Sequence, residues 1–121
     1  MPITSFLKFG GRLKAHIFVS ALLQRAVSHG AFGVVVKKGD KDAGAVVVCV
    51  RQDEGHVCLY QAATNMDGER VWHESLPARA QAIDGQLKRL ASRDPDLWIV
   101  EIDDREGRNF LTETVVKQLG V

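Results

Sequence analysis

The chain has 121 residues, 16 basic and 15 acidic, for a net charge of +1. That near-cancellation argues against a histone-like or ribosomal tail protein, whose charge is strongly one-signed. A hydrophobic fraction of 45 % and a charged fraction of 26 % exclude a disordered chain. No apolar run approaches the roughly 18 residues that span a bilayer. The length fits one domain over residues 1–121, with residues 1–11 as a loosely ordered N-terminal arm. That arm lacks the apolar core of a secretory signal, so a cytoplasmic location is expected and no membrane partner.

Ala15, Phe18, Val19, Leu22, Leu23, Ala26 and Val27 recur at helical spacing and predict a helix from Lys14 to His29. Gly30 follows where a left-handed cap residue belongs. Phe32 to Lys37 is a short β-branched strand. Lys38 to Gly44 reads as a turn, in which Gly supplies positive φ and Asp supplies local side-chain hydrogen bonds. Ala45 to Val50 is apolar on both faces, which predicts a central strand covered on both sides by helices or a partner chain. Asp53-Glu54-Gly55 turns the chain into a strand from His56 to Ala62, and Asn65 to Gly68 turns it again. In the strand from Arg70 to Leu76, Val71, His73 and Ser75 share one face. A second helix runs from Pro77 to Arg93, with Ser75 as N-cap and an apolar stripe of Ala80, Ile83, Leu87, Leu90 and Ala91. Asp94-Pro95-Asp96 ends it. Leu97 to Ile102 is the last clear strand, Arg105-Glu106-Gly107 a turn, and Leu111 to Leu119 a short terminal helix.

The expected fold is therefore α+β. Short turns joining four consecutive strands imply a mostly antiparallel meander of four to five strands, with two main helices packed on it. The helix before the last strand leaves room for one parallel pair.

Several stretches offer partial motifs for chemistry. Gly39 to Gly44 matches the first six positions of a phosphate-binding loop, but Ala45 and Val46 stand where the Lys and the hydroxyl residue belong. A turn accounts for it better. Pro95-Asp96 followed by Glu101-Ile102-Asp103 is similar to the carboxylate pattern of metal-dependent nucleases, but Asp103 replaces the activating lysine. Glu101 and Asp103 share a strand face with Leu97 and Ile99, so a helix over that face obliges Glu101 to find a partner or a raised pKa. The favoured alternative is that the strand leaves the core there with a solvated end, and the interleaved Arg105 and Arg108 neutralise the acidic cluster of Glu101, Asp103, Asp104 and Glu106 from within. Among the four histidines, His73 is the one candidate acid–base group, because His29 answers to a helix dipole and no pair has metal-ligand spacing. Cys49 and Cys58 read as buried thiols, opposite one another if a four-residue turn joins their strands and offset by one if it is shorter. They form no zinc signature, and no cofactor is implied.

Three stretches carry a resemblance: Ala21-Leu22-Leu23-Gln24-Arg25, Lys38 to Ala45, and Asp94 to Arg108. In this order they resemble the bacterial domain of unknown function 1491 family, short uncharacterised proteins, over about residues 12 to 111. The resemblance implies a compact intracellular bacterial protein and brings no catalytic residues with it. Some members look to have been labelled GTP-binding, and the missing phosphate-loop lysine counts against that here.

The neutral total hides an asymmetry. Up to Arg51 there are eight basic and two acidic residues, or +6; from Gln52 onward, eight basic and thirteen acidic, or −5. Three readings follow. The first is an interaction or structural module that self-associates as a homodimer or larger homo-oligomer. The second is a nucleic-acid-binding module using Lys8, Arg12, Lys14, Lys37, Lys38 and Lys41. The third is a small enzyme with a metal-assisted site at Glu101 and Asp103, joined by His73. No complete catalytic constellation stands in the chain, which argues against an enzyme.

Overall fold

The computed structural model describes residues 8–9 and 12–118, with side chains from Leu13 onward. Most of the expected N-terminal arm, the side chains of Lys8 and Arg12, the last residue of the expected terminal helix, 119, and residues 120–121 lie outside the described residues. A two-residue antiparallel ladder joins β1 (Lys8–Phe9) to β2 (Arg12–Leu13).

Helix α1 (Ala15–Ser28) begins without a side-chain cap. Its first N–H groups are satisfied from afar: Ala15 and His16 donate to the carbonyls of Asp42 and Lys41. At its other end Gly30 adopts φ 87°, and the N–H groups of Gly30 and Ala31 donate back to Val27 and Ala26. This is the left-handed cap the sequence called for. The stripe buries Ala15, Phe18, Val19, Leu22 and Ala26, while Val27 faces solvent.

The main sheet comprises β3 (Phe32–Lys37), β4 (Val46–Asp53), β5 (His56–Thr64), β6 (Arg70–Glu74), β7 (Trp98–Asp103) and β8 (Val115–Lys117). It has six strands in the order β3-β7-β4-β5-β6-β8. The α+β class holds, but the sheet is mixed and larger than the four to five strands expected. β7 inserts between β3 and β4, antiparallel to the first and parallel to the second. The physical reason is burial. β4 and β7 are apolar on both faces, so they take adjacent central places, and the alternating β3 is left at the edge. Val46, Val48, Val50, Trp98, Val100 and Ile102 pack with α1, and Val47, Cys49, Leu97 and Ile99 pack with α2 (Ala80–Arg93) on the opposite face. Each fully buried Val is worth about 1.5–3 kcal/mol.

The two helix ends drawn from sequence also shift. Ser75 does not cap α2: its hydroxyl accepts the Leu59 N–H and donates to the Leu76 carbonyl. The residues after Pro77 run alongside β5 instead, through a bridge between Ala78 and Val57, and α2 starts at Ala80. The expected terminal helix is instead strand β8, parallel to β6. Thr112, Thr114, Val115 and Val116 are β-branched, and the edge of β6 supplies the partners. The Trp72 N–H donates to Thr114, and its indole N–H to Glu113 at 2.9 Å. No helix among the described residues is long and apolar enough to cross a membrane.

Candidate functional site

Parallel pairing of β4 with β7 places Cys49 beside Glu101 and Arg51 beside Asp103 on the α2 face. Glu101 and Asp103 do share that face with Leu97 and Ile99, as alternation predicts, and Glu101 has the partner it needed. The Arg51 guanidinium donates to Glu101 Oε1 at 3.1 Å. It also lies 3.9 Å from Asp103 and 3.7 Å from Asp84 of α2. One cation thus serves three carboxylates. Partial burial, then the charge of Glu101, push the Asp103 carboxyl above the usual range. Burial, then Glu101, push the Cys49 thiol up to about 12, so this thiol is inert near neutral pH.

Beside this cluster, Asp104 is buried and grips Arg108 with both oxygens, each contact 2.9 Å, and also accepts the Arg108 N–H at 2.8 Å. Arg108 holds the Asp104 carboxyl below the usual range. Arg108 also reaches Glu106 at 3.0 Å and stacks its guanidinium 5.0 Å from the Phe110 ring centroid. The acidic run is thus neutralised partly from within by Arg108, as its interleaving suggested, and partly by Arg51. The sequence reading missed Arg51 because fifty residues separate it from Glu101. Only the strand register joins them.

Beyond these pairs, at the carboxyl ends of β4 and β7, an open cavity of about 950 Å³ is lined by residues that include Phe32, Asp53, Glu54, Asp103 and Glu106. A second, of about 820 Å³, lies near the start of α1, where Arg70 sits 5.0 Å from the Phe18 ring and 4.8 Å from the Trp72 ring.

The other sequence candidates do not converge on either. His73 is exposed, in a row with Gln61, Val47 and Ile99. That puts it three strands from β7, about 14 Å across. Asp96 and Glu101 stand near opposite ends of β7, about 16 Å apart. Among the described residues, no group of three His, Cys, Asp or Glu is placed to hold a metal ion. The His29 ring nitrogen Nδ1 lies 2.8 Å from the Arg25 carbonyl in the last turn of α1. Cys49 and Cys58 are offset by one position, pairing with Leu59 and Val50, so they point to opposite faces and both are free thiols. Cys58 is half-buried on the α1 side.

The loop that looks like the start of a phosphate site does structural work. The turn forms at residues 41–43, but neither Gly39 nor Gly44 has the positive φ expected there. They are small because the loop crosses over the start of β7: a Cβ on Gly39 would lie 2.1 Å from the Asp96 carbonyl oxygen, and one on Gly44 would lie 2.4 Å from it. Asp40 behaves as expected, accepting the N–H groups of Asp42 and Ala43. The Lys37 ammonium donates to the Pro95 and Leu97 carbonyls, and Lys14 lies 4.0 Å from Asp42. Lys38 and Lys41 are exposed.

These features define a small α+β protein with a mixed six-stranded sheet between two helices and a charged groove at the ends of its central strands. The sequence profile of the protein of unknown function DUF1491 matches residues 13–112, and the chain belongs to this family. A crystal structure of a DUF1491 protein from Caulobacter crescentus superposes with a TM-score of 0.81 at 46 % identity, covering 86 % of this chain and 99 % of that one. An NMR structure of a DUF1491 protein from the same organism has a TM-score of 0.77 at 46 % identity, covering 86 % and 96 %. A solution structure of an A. tumefaciens protein has a TM-score of 0.73 at 36 % identity, covering 91 % and 99 %. No curated protein matches.

Proposed function

We propose that this chain is a cytoplasmic, single-domain interaction module that self-associates through the free edge of β3. The observation carrying this is the exposed apolar row on that strand: Phe32 is 63 % exposed, Val34 39 % and Val36 57 %. β3 is an edge strand, so alternate backbone N–H and C=O groups point away from β7 without a sheet partner of their own. Natural edges are usually guarded by charge. Here the one charged residue of the strand, Lys37, is turned back onto the Pro95 and Leu97 carbonyls. The register shift between Val35 and Lys37 bends the end of the strand and confines flat pairing to residues 32–35.

A second copy is the natural occupant. Antiparallel pairing of one edge with itself is two-fold symmetric, with the axis normal to the sheet. Both apolar rows then fall on the same face, side by side. The doubly apolar stretch of β4 that first motivated self-association is covered by the chain's own α1 and α2, so β3 takes over its part in the argument.

The competing readings draw less support. The basic residues of the first half are interleaved with Asp40, Asp42, Asp94 and Asp96, and Lys14 and Lys37 have partners within the fold. Glu101 and Asp103 are gathered around Arg51, and His73 stands apart from them.

Sedimentation velocity over a concentration series tests the proposal. The wild type is expected to show a monomer–dimer equilibrium, and Val34→Lys, an exposed position, is expected to stay monomeric with unchanged circular dichroism. A wild type that remains monomeric up to several hundred micromolar refutes it.

A further inference from the structure

We infer that the groove beside Phe32 is the seat for the Lys38–Lys41 turn of a second copy, so that each copy of a two-fold dimer inserts one basic turn and receives another. This rests on the β3 pairing proposed above.

Strand register sets where the turn lands. A pair whose two-fold axis is normal to the sheet sets like-facing residues opposite one another, so it is centred on a residue. Centred on Val34 or on Val35, and allowing for the register shift after Val35, it brings Lys38 of the second copy beside residues 30 to 33. His29, Gly30 and Phe32 all line the groove of about 950 Å³. The destination of the turn is therefore insensitive to the details of the pairing.

Charge matches the turn to the groove. The turn presents its cations outward. Asp40 spends its carboxylate on the N–H groups of Asp42 and Ala43, and Asp42 faces Lys14, while Lys38 and Lys41 are exposed. The groove presents the opposite sign at its rim. Glu54 is exposed, Glu106 has a side chain 71 % exposed, and Asp53 and Asp103 have side chains 60 % and 43 % exposed. Of its cations, Arg51 and Arg108 are engaged with Glu101 and Asp104, and Arg105 is exposed, so five lining carboxylates face three guanidinium groups.

The turn is also held in place by its own fold. The turn is held by the Asp40 N–H on the Asp96 carbonyl and by the Trp98 indole N–H on the Asp40 carbonyl at 2.7 Å. Little ordering entropy is then lost on docking.

Charge reversal in pairs decides the matter. The double variants Lys38→Glu/Lys41→Glu and Glu54→Lys/Glu106→Lys are each expected to weaken the homodimer about tenfold or more. An equimolar mixture of the two is expected to restore a heterodimer, because each turn then meets a groove of opposite sign. Raising salt from 0.05 to 0.5 M is expected to weaken the wild-type dimer and leave the Val34→Lys monomer unchanged. If the wild type dimerises, Val34→Lys abolishes it, and neither double variant alters it, the groove inference fails while the β3 reading stands. If the wild type does not dimerise, both fail.

Discussion

At the scale of single residues, the glycines show most clearly what the fold demands. Gly39 carries no left-handed backbone, yet its missing Cβ is required. An added methyl would lie 2.1 Å from the Asp96 carbonyl oxygen and 2.7 Å from the Leu97 carbonyl carbon, both backbone atoms. Gly39→Ala is expected to cost about 3 kcal/mol or more, read as a lower urea midpoint. Gly85 is the opposite case. It lies inside α2, where the nearest atom to an added Cβ is the end of Arg89 at 3.8 Å. Gly85→Ala is expected to stabilise by about 0.5–1 kcal/mol. Equal effects at the two sites would contradict the packing described for the 38–44 loop.

Asp104 and Asp103 are neighbours in sequence with opposite acid–base behaviour. Arg108 lowers the folded-state pKa of Asp104, so its contribution to stability is present above the unfolded value of about 3.9 and is lost as pH falls through the folded value. Asp103 is raised by burial and by Glu101, so its protonation favours the folded state as pH falls. Asp104→Asn is accordingly expected to lose about 1.5–3 kcal/mol near neutral pH and to show a shallower acid limb in unfolding titrations. An unchanged acid limb would mean that the Arg108 pairing contributes nothing.

At the scale of elements, Arg51 ties three of them together. It stands on β4 and reaches Glu101 and Asp103 of β7 and Asp84 of α2. Truncating it leaves half-buried carboxylates facing one another. Arg51→Met keeps the stem that packs against the sheet and removes the charge. It is expected to cost about 2 kcal/mol, less than for a fully buried pair because Asp84 and Asp103 are well solvated. Adding Glu101→Gln should recover part of the loss, a non-additivity visible in a double-mutant cycle.

The elements also show where sequence reasoning worked. α1, β3 and the double-faced character of β4 were legible because burial imposes a local period, and Gly30 marked a helix end by its positive φ. β8 was misread as helix because Leu111 to Leu119 is too short for its apolar spacing to distinguish helix from strand, and the deciding partner is the remote edge of β6. The start of α2 was placed too early because Ser75 and Pro77 are good helix-opening residues. The competing bond to Leu59 comes from a strand sixteen residues upstream.

At the scale of the whole molecule, the +6 and −5 halves do not form two poles by chain order. β4 of the first half is sandwiched between β7 and β5 of the second, and Lys37 and Arg51 spend their charge on groups of the second half. The charge that remains outward is local, a basic turn at one end of β3 and an acidic groove at the other. A dimer built on that edge has a stability linked to its own concentration. The thermal midpoint of the wild type is therefore expected to rise between micromolar and hundred-micromolar protein, and that of Val34→Lys to stay constant.

By itself the amino-acid sequence determined the two main helices, most strands, the α+β class and the kinship with a family of unknown function. Each of these follows from periodicity, turn chemistry or a run of residues close together in the chain. Tertiary structure alone decided that β7 separates β3 from β4, that Arg51 is the partner Glu101 needed, that Cys49 and Cys58 face apart, and that His73 stands away from the carboxylates. Those outcomes depend on which strand lies beside which, and the choice is made by burying the two strands that are apolar on both faces at the centre of the sheet. The same choice leaves β3 with its apolar row uncovered at the edge.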